Sequence, residues 1–490
     1  MSYRGAVSVP MRYPVLVLAI FLSLIVLYLL SDASDRYGAT AFLSLVIVGI
    51  TITLVSFSVI QKGGVIRFDI TRPLSLYGIF YFLYYLFAFL TLFFSGLLAG
   101  GNDLTIACLL FLGYSAWYAG VKASGTKERK HAIIQGPGKR ESLPLLIVCI
   151  IGISLIVYIY IWRTSEQIFF THAMYYEQEL SVAASARDVL ISQFQLPIIL
   201  LLGFLSSGQH KATSLISRRL FIVYGIGIFL VLVISSQTRA AITALIFVLV
   251  SMKTFQLKVI KLHYVIVTAL IGLLAVLFIQ GVRTNSHDLI FSDNQFRYSI
   301  RRSGYDAISG LAGLDSGQLE GIIKRVGGGV TFLSTVIDAV GSSDTFLYGR
   351  GIGGSLYGLI PRFLWHDKPA VVAPQLVVEE LLSIPLHDAA LGPVTQFYAE
   401  GGWIGVAVGF FLFGFLIGKL TSRTMLSKQI WMWIILFFLW SQISNLEHEV
   451  VLGSLGAVRN AFVVYLMYRL MLLVTRIRDR EKTITPGIKR

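Results

Sequence analysis

The sequence predicts an all-α, polytopic membrane protein of about 12 transmembrane helices with one large outer loop. Three observations predict it. The 490 residues are 56% hydrophobic and only 14% charged. Mean hydropathy is +0.75, far above that of a water-soluble domain. Apolar runs recur along the chain, and the basic residues crowd into alternate connections between them.

A helix needs about 20 apolar residues to cross a bilayer. Runs of that order fall near 13–30, 38–60, 74–96, 104–120, 143–162, 191–207, 220–236, 240–252, 264–282, 394–418, 429–444 and 457–475. The first could serve as a signal segment, but no small-residue cleavage site follows it, and Asp32 and Asp35 do. With the N-terminus in the cytoplasm, the inner segments collect roughly two-thirds of the Lys and Arg and few of the acids. The loop "KASGTKERKHAIIQGPGKRE" and the tail "RIRDREK" supply much of that basic charge. The expectation is a multi-pass protein with both termini cytoplasmic. The formal charge of +15 is then an orientation signal, and a nucleic-acid partner is not expected. Cys108 and Cys149 both sit in apolar runs, which gives neither a disulfide framework nor a metal-ligand spacing.

Three parts follow: residues 1–283 with short loops, a polar interruption over 284–393, and residues 394–490 with the last apolar runs and a basic tail. The interruption is too long to be structureless. Its middle carries Leu319, Ile322, Ile323 and Val326, then Val330, Leu333, Val336 and Ile337, at helical spacing. Two amphipathic helices broken at residues 327–329 satisfy this pattern, either lying on the membrane surface or packing as a small cap with an ordinary core. The glycines and prolines of "LYGRGIGGSLYGLIPRFLWHDKP" argue against regular structure and for backbone N–H groups left free to meet a ligand.

Basic residues on the outer side run against the orientation rule, so each needs a reason. Arg239, in "ISSQTRAAITAL", tips a hairpin whose arms are short enough to hold it partly below the surface, where an anion or carboxylate must meet it. Arg283 ends an apolar run and also gains from a helix dipole. Arg302, Arg350, Arg362 and Lys368 lie in the outer loop. Guanidinium forks suit phosphate oxygens, and Trp365, Tyr348 or Tyr357 can stack on sugar faces. Some of these cations must pair with the outer acids instead. The candidates for proton transfer are His387 and Asp388 in "IPLHDAALG", Glu400 in "QFYAEGGWIG", His366, and Glu447, His448 and Glu449 in "SNLEHEVV". No zinc, P-loop or serine-triad spacing is present, so neither metal nor cofactor is expected.

The string "LIPRFLWHDKP" resembles the signature of Wzy-type polymerases of O-antigen and capsule repeat units. "ISSQTRAAI", "YGRGIGGSLY" and "GPVTQFYAEGGWIG" resemble further segments of that family, over about residues 220–405. His366 departs from the signature, which has proline there. The resemblance implies a GT-C-like membrane glycosyltransferase of the bacterial inner membrane, with its active site facing the periplasm and no metal. Its substrates would be oligosaccharides on undecaprenyl diphosphate, and a chain-length regulator protein is a possible partner. Glu400, His387 and Asp388 would be catalytic. Arg239, Arg283, Arg302, Arg350, Arg362, Trp365 and Lys368 would bind substrate. An O-antigen ligase and a flippase or exporter of lipid-linked glycans are the alternatives.

Overall fold

The computed structural model describes residues 59–62, 65–68, 77, 81–86, 88–89, 92, 102–125, 152, 260–261, 328–343, 345–357, 360, 365, 376–382 and 391–426, and isolated positions from 439 to 473. Within them lie three short strands and four helices. Strand β1 is Val59–Lys62, β2 is Val65–Phe68 and β3 is Ile260–Lys261. Helix α1 is Asp103–Ala123, α2 is Gly328–Ser343, α3 is Arg350–Tyr357 and α4 is Pro393–Leu426. Two π-helical turns, Phe82–Leu86 and Val377–Leu381, complete the regular structure.

The strands form one antiparallel sheet in the order β1-β2-β3. Val59 pairs with Phe68 and Lys62 with Val65 in the antiparallel register of β1 and β2. Phe68 pairs with Ile260, which ties the hairpin to a strand nearly two hundred residues later in the chain.

The helical core centres on α1 and α4. Gly113 and Gly120 are two turns apart on one face of α1, and Gly414 faces them from α4. A Cβ on Gly120 would stand 2.1 Å from the Phe411 carbonyl oxygen, and one on Gly414 would stand 2.4 Å from that of Trp117. The two backbones therefore touch, and only glycine permits it. Around this contact Tyr77, Tyr81, Tyr85, Tyr114, Trp117 and Phe410 are all buried. The rings of Tyr77 and Trp117 stack with centroids 4.1 Å apart. Tyr81 donates its hydroxyl to the Leu110 carbonyl at 2.7 Å.

Helix α2 buries Val330, Leu333, Val336 and Ile337, the four apolar positions its spacing marks. It packs against α1, α4 and both π-helical turns, so its apolar face covers protein rather than a membrane surface. Asn102, just before α1, donates through Nδ2 to Asp338 Oδ1 on α2 at 2.6 Å. The helix starts at Gly328, so residues 328 and 329 belong to its first turn, and the expected helix before them lies outside the described residues.

The fold expectation is corrected here. Among the described residues two helices, Asp103–Ala123 and Pro393–Arg423, are long and apolar enough to cross a membrane. The described core is small and mostly buried, not a bundle of about 12 spanning helices, and the described residues also form a three-stranded sheet. The multi-pass inner-membrane placement is corrected with it. The physical reason is that an apolar run reads the same whether lipid or protein covers it. Half of the apolar stretch of α1 is covered by the protein itself. The segments near 104–120 and 394–418 do form helices, and most of the other runs lie outside the described residues.

Helix α4 is also not one rod. Gly401 and Gly402 leave helical geometry, and Gly402 has φ +59°. The chain turns back there. A Cβ on Gly405 would lie 2.1 Å from the Phe397 carbonyl oxygen, and one on Gly409 would lie 2.5 Å from the Phe397 ring. A short leg, residues 393–400, thus lies against the long leg, residues 403–426. Every residue from 391 to 400 is buried. A reading by hydropathy alone takes both legs as one span, because a glycine pair does not lower an apolar average.

Candidate functional site

The short leg ends at Glu400, which is 6% exposed. Tyr85 accepts the Val394 N–H at its start, and Gln396 Oε1 accepts the Val450 N–H at 3.1 Å. The last carbonyls of a helix lack partners within it. Here the extended segment before α3 supplies them: Leu347 N–H donates to the Ala399 oxygen at 2.9 Å, and Tyr348 N–H donates to the Glu400 oxygen at 3.0 Å.

That segment then turns sharply. Arg350 N–H donates to the Leu347 oxygen at 3.0 Å, with Tyr348 and Gly349 at φ +50° and +86° between them. Two successive positive φ values inside a four-residue turn are the signature of type I′ geometry. Gly349 accepts this without strain. Tyr348 does so at a cost of about 1 kcal/mol, and non-glycine residues persist in this region only where their surroundings hold them.

Glu400 is what holds them. Its Oε2 accepts the Gly349 N–H at 2.7 Å and its Oε1 accepts the Ile352 N–H at 2.8 Å. These are donors that the first turn of α3 leaves without helical partners. A capping box would fill them from nearby in sequence, whereas here a carboxylate from the end of another helix does so. An ionised carboxylate accepts only, so two converging N–H groups suit it. Of the backbone donors expected to face a ligand, those of Gly349 and Ile352 are taken by Glu400, and Arg350–Tyr357 of the glycine-rich run forms helix α3. The small residues Gly351, Gly354 and Ser355 are buried, which seats α3 against α4, and Ser355 Oγ donates to the Gly351 oxygen at 2.9 Å.

The turn presents what it does not bury. Tyr348 is 75% exposed, and its ring meets Phe346 edge-on at 5.9 Å. Phe346 in turn packs beside Tyr398 and against the Gly402 kink. The Arg350 side chain is 58% exposed. Its Nη1 meets Glu380 Oε2 at 2.7 Å and its Nε donates to the Leu347 oxygen at 3.3 Å. At the other end of α3, exposed Tyr357 meets the half-buried Trp365 edge-on at 5.8 Å. A cation and three accessible aromatic rings thus flank one short helix.

Of the residues the sequence points to, Glu400 and Arg350 come together on this turn, and Trp365 stands at the far end of α3. His366, His387, Asp388, Glu447, His448, Glu449, Arg239, Arg283, Arg302, Arg362 and Lys368 lie outside the described residues. Glu380, in "QLVVEELLS", was missed. Its signal is an acid pair inside an apolar run, which periodicity does not single out. Among the described residues no group of three or more His, Cys, Asp or Glu could hold a metal.

No family model, curated protein or solved structure matches the chain. Assignment to the Wzy or O-antigen polymerases and to GT-C glycosyltransferases is therefore withdrawn, since no relative ties the chain to them. The described features are those of a small helical core with two membrane-like helices.

Proposed function

We propose that the chain joins lipid-diphosphate-linked oligosaccharide units into a longer glycan. The observation that carries this reading is the turn at Tyr348–Arg350, where a buried carboxylate fastens an exposed guanidinium beside an exposed ring. The resemblance of the residue strings set out above to segments of such polymerases is the other support for it. In such a transfer, the bond between the anomeric carbon of the growing chain and the lipid diphosphate breaks as an acceptor hydroxyl bonds to that carbon. The diphosphate leaves with the electron pair, and fixed positive charge lowers the barrier. Arg350 would supply part of that charge, with Arg239, Arg283, Arg302, Arg362 and Lys368 as further proposed contacts. Tyr348, Tyr357 and Trp365 would hold sugar faces. Both Glu400 oxygens are engaged by backbone donors, so Glu400 would position the turn while His387 or Asp388 takes the acceptor proton.

A second reading, export of the same glycolipid, is favoured by one observation. The glycine break in α4 is the kind of discontinuous helix that transporters use. Incubating the purified chain with a lipid-diphosphate oligosaccharide and sizing the glycans separates the two. Products of two or more units are expected. Units that stay single, together with movement of the intact glycolipid across vesicles, would reject transfer in favour of export.

A further inference from the structure

The helix N-terminus at Arg350 is already filled by Glu400, so the backbone offers no free anion site there. The side chain is different. Nη1 of Arg350 is held by Glu380 and Nε by a carbonyl, while Nη2 has no hydrogen-bond partner among the described residues and the side chain is 58% exposed. Glu380 is itself 37% exposed and sits on the π-helical turn Val377–Leu381, a geometry frequent at functional sites. The guanidinium therefore cannot swing freely: the backbone clamp fixes its root, and Glu380 fixes its tip. An ion pair between two such exposed groups contributes little to stability, so its loss costs the fold little.

We infer that Glu380 is a resident carboxylate that an incoming diphosphate displaces from Arg350. This rests on the proposed transfer reading and deepens it by naming a specificity residue for the anion. With Glu380 in place, only an anion that offers more than one oxygen to the fork gains from the exchange. A diphosphate can engage Nη1 and Nη2 together, which a single carboxylate oxygen on Nη1 does not. A weak monovalent anion cannot compete. After the diphosphate departs, Glu380 returns to Nη1 and the site resets. Glu380 makes no bond in the reaction, so it is a positioning residue.

Titration calorimetry with inorganic pyrophosphate tests the exchange directly, on the full chain. Glu380→Gln removes the competing charge and is expected to tighten binding by about two- to fivefold, the range set by an exposed ion pair. Arg350→Ala is expected to abolish the heat, and Arg350→Lys to recover it only in part. Glu380→Gln in the Arg350→Ala background should then change nothing. Thermal unfolding of each variant keeps these readings separate from loss of fold. Unchanged or weaker pyrophosphate binding in Glu380→Gln overturns the exchange. So does a gain confined to vesicles of phosphatidylglycerol in phosphatidylcholine, which would make the ligand a bulk lipid headgroup. If Glu380→Gln tightens pyrophosphate binding while no glycan is extended, transfer fails and the exchange stands. If glycan is extended while Glu380→Gln leaves binding unchanged, the exchange alone fails.

Discussion

Glu400 does at one residue what a local capping sequence does elsewhere, and removing it takes the side-chain acceptor from the N–H groups of Gly349 in the turn and Ile352 in the first turn of α3. Each such loss costs on the order of 1–3 kcal/mol when the group stays buried. Glu400→Ala should therefore lower unfolding stability by about 2 kcal/mol and release Tyr348 from its strained φ. Glu400→Gln retains one carbonyl acceptor and should fall between wild type and Ala. Thermal unfolding measures the order, and equal stability of all three proteins would contradict the clamp. The tyrosine cluster gives the opposite sign. Tyr77 and Tyr114 bury their hydroxyls without a hydrogen-bond partner among the described residues. Tyr77→Phe and Tyr114→Phe should be neutral or stabilising by up to about 1 kcal/mol, because each removes an unmet hydrogen-bonding group while keeping the ring. A clear loss of stability in either would mean that the hydroxyl has a partner.

At the scale of elements, the glycines decide. Gly120→Ala places a methyl 2.1 Å from the Phe411 carbonyl, so α1 and α4 must move apart. A loss of about 3 kcal/mol is expected, the upper part of the range for overpacking. Gly341→Ala on α2 meets nothing within 4 Å and should instead gain up to about 1 kcal/mol from helix propensity. Urea unfolding of the two variants side by side reads both signs, and a mild Gly120→Ala would mean that the helices are not in backbone contact. The amphipathic stripe of α2 was legible before any coordinates, because period and burial coincide at Val330, Leu333, Val336 and Ile337. The fold-back at Gly401–Gly402 was not legible. An apolar window is blind to direction, and the glycine pair in "YAEGGWIG" carries no sign of whether the chain continues or reverses. The clamp was half legible: Glu400 and Arg350 could be marked as functional types, but their link runs through backbone N–H groups, which have no sequence code.

For the whole molecule, counting apolar runs overstated the membrane character because the same residues that suit lipid also suit each other. Trp117, Phe410 and Leu110 are buried by protein. The charge asymmetry could not correct this, since it orients spans without testing that they exist. What the assembled elements do accomplish is to bring the end of one buried leg, residues 393–400, to a strained turn some fifty residues earlier, and to leave a ring and a guanidinium exposed there. The central claim is that this turn receives a lipid-diphosphate glycan. Native mass spectrometry of the purified protein tests it most directly. Wild type should carry an added mass that fragments to a lipid diphosphate and sugars, and Arg350→Ala and Tyr348→Ala should lose most of it while remaining folded. Equal glycolipid loading in all three proteins, or none in wild type supplied with the glycolipid, would contradict the account.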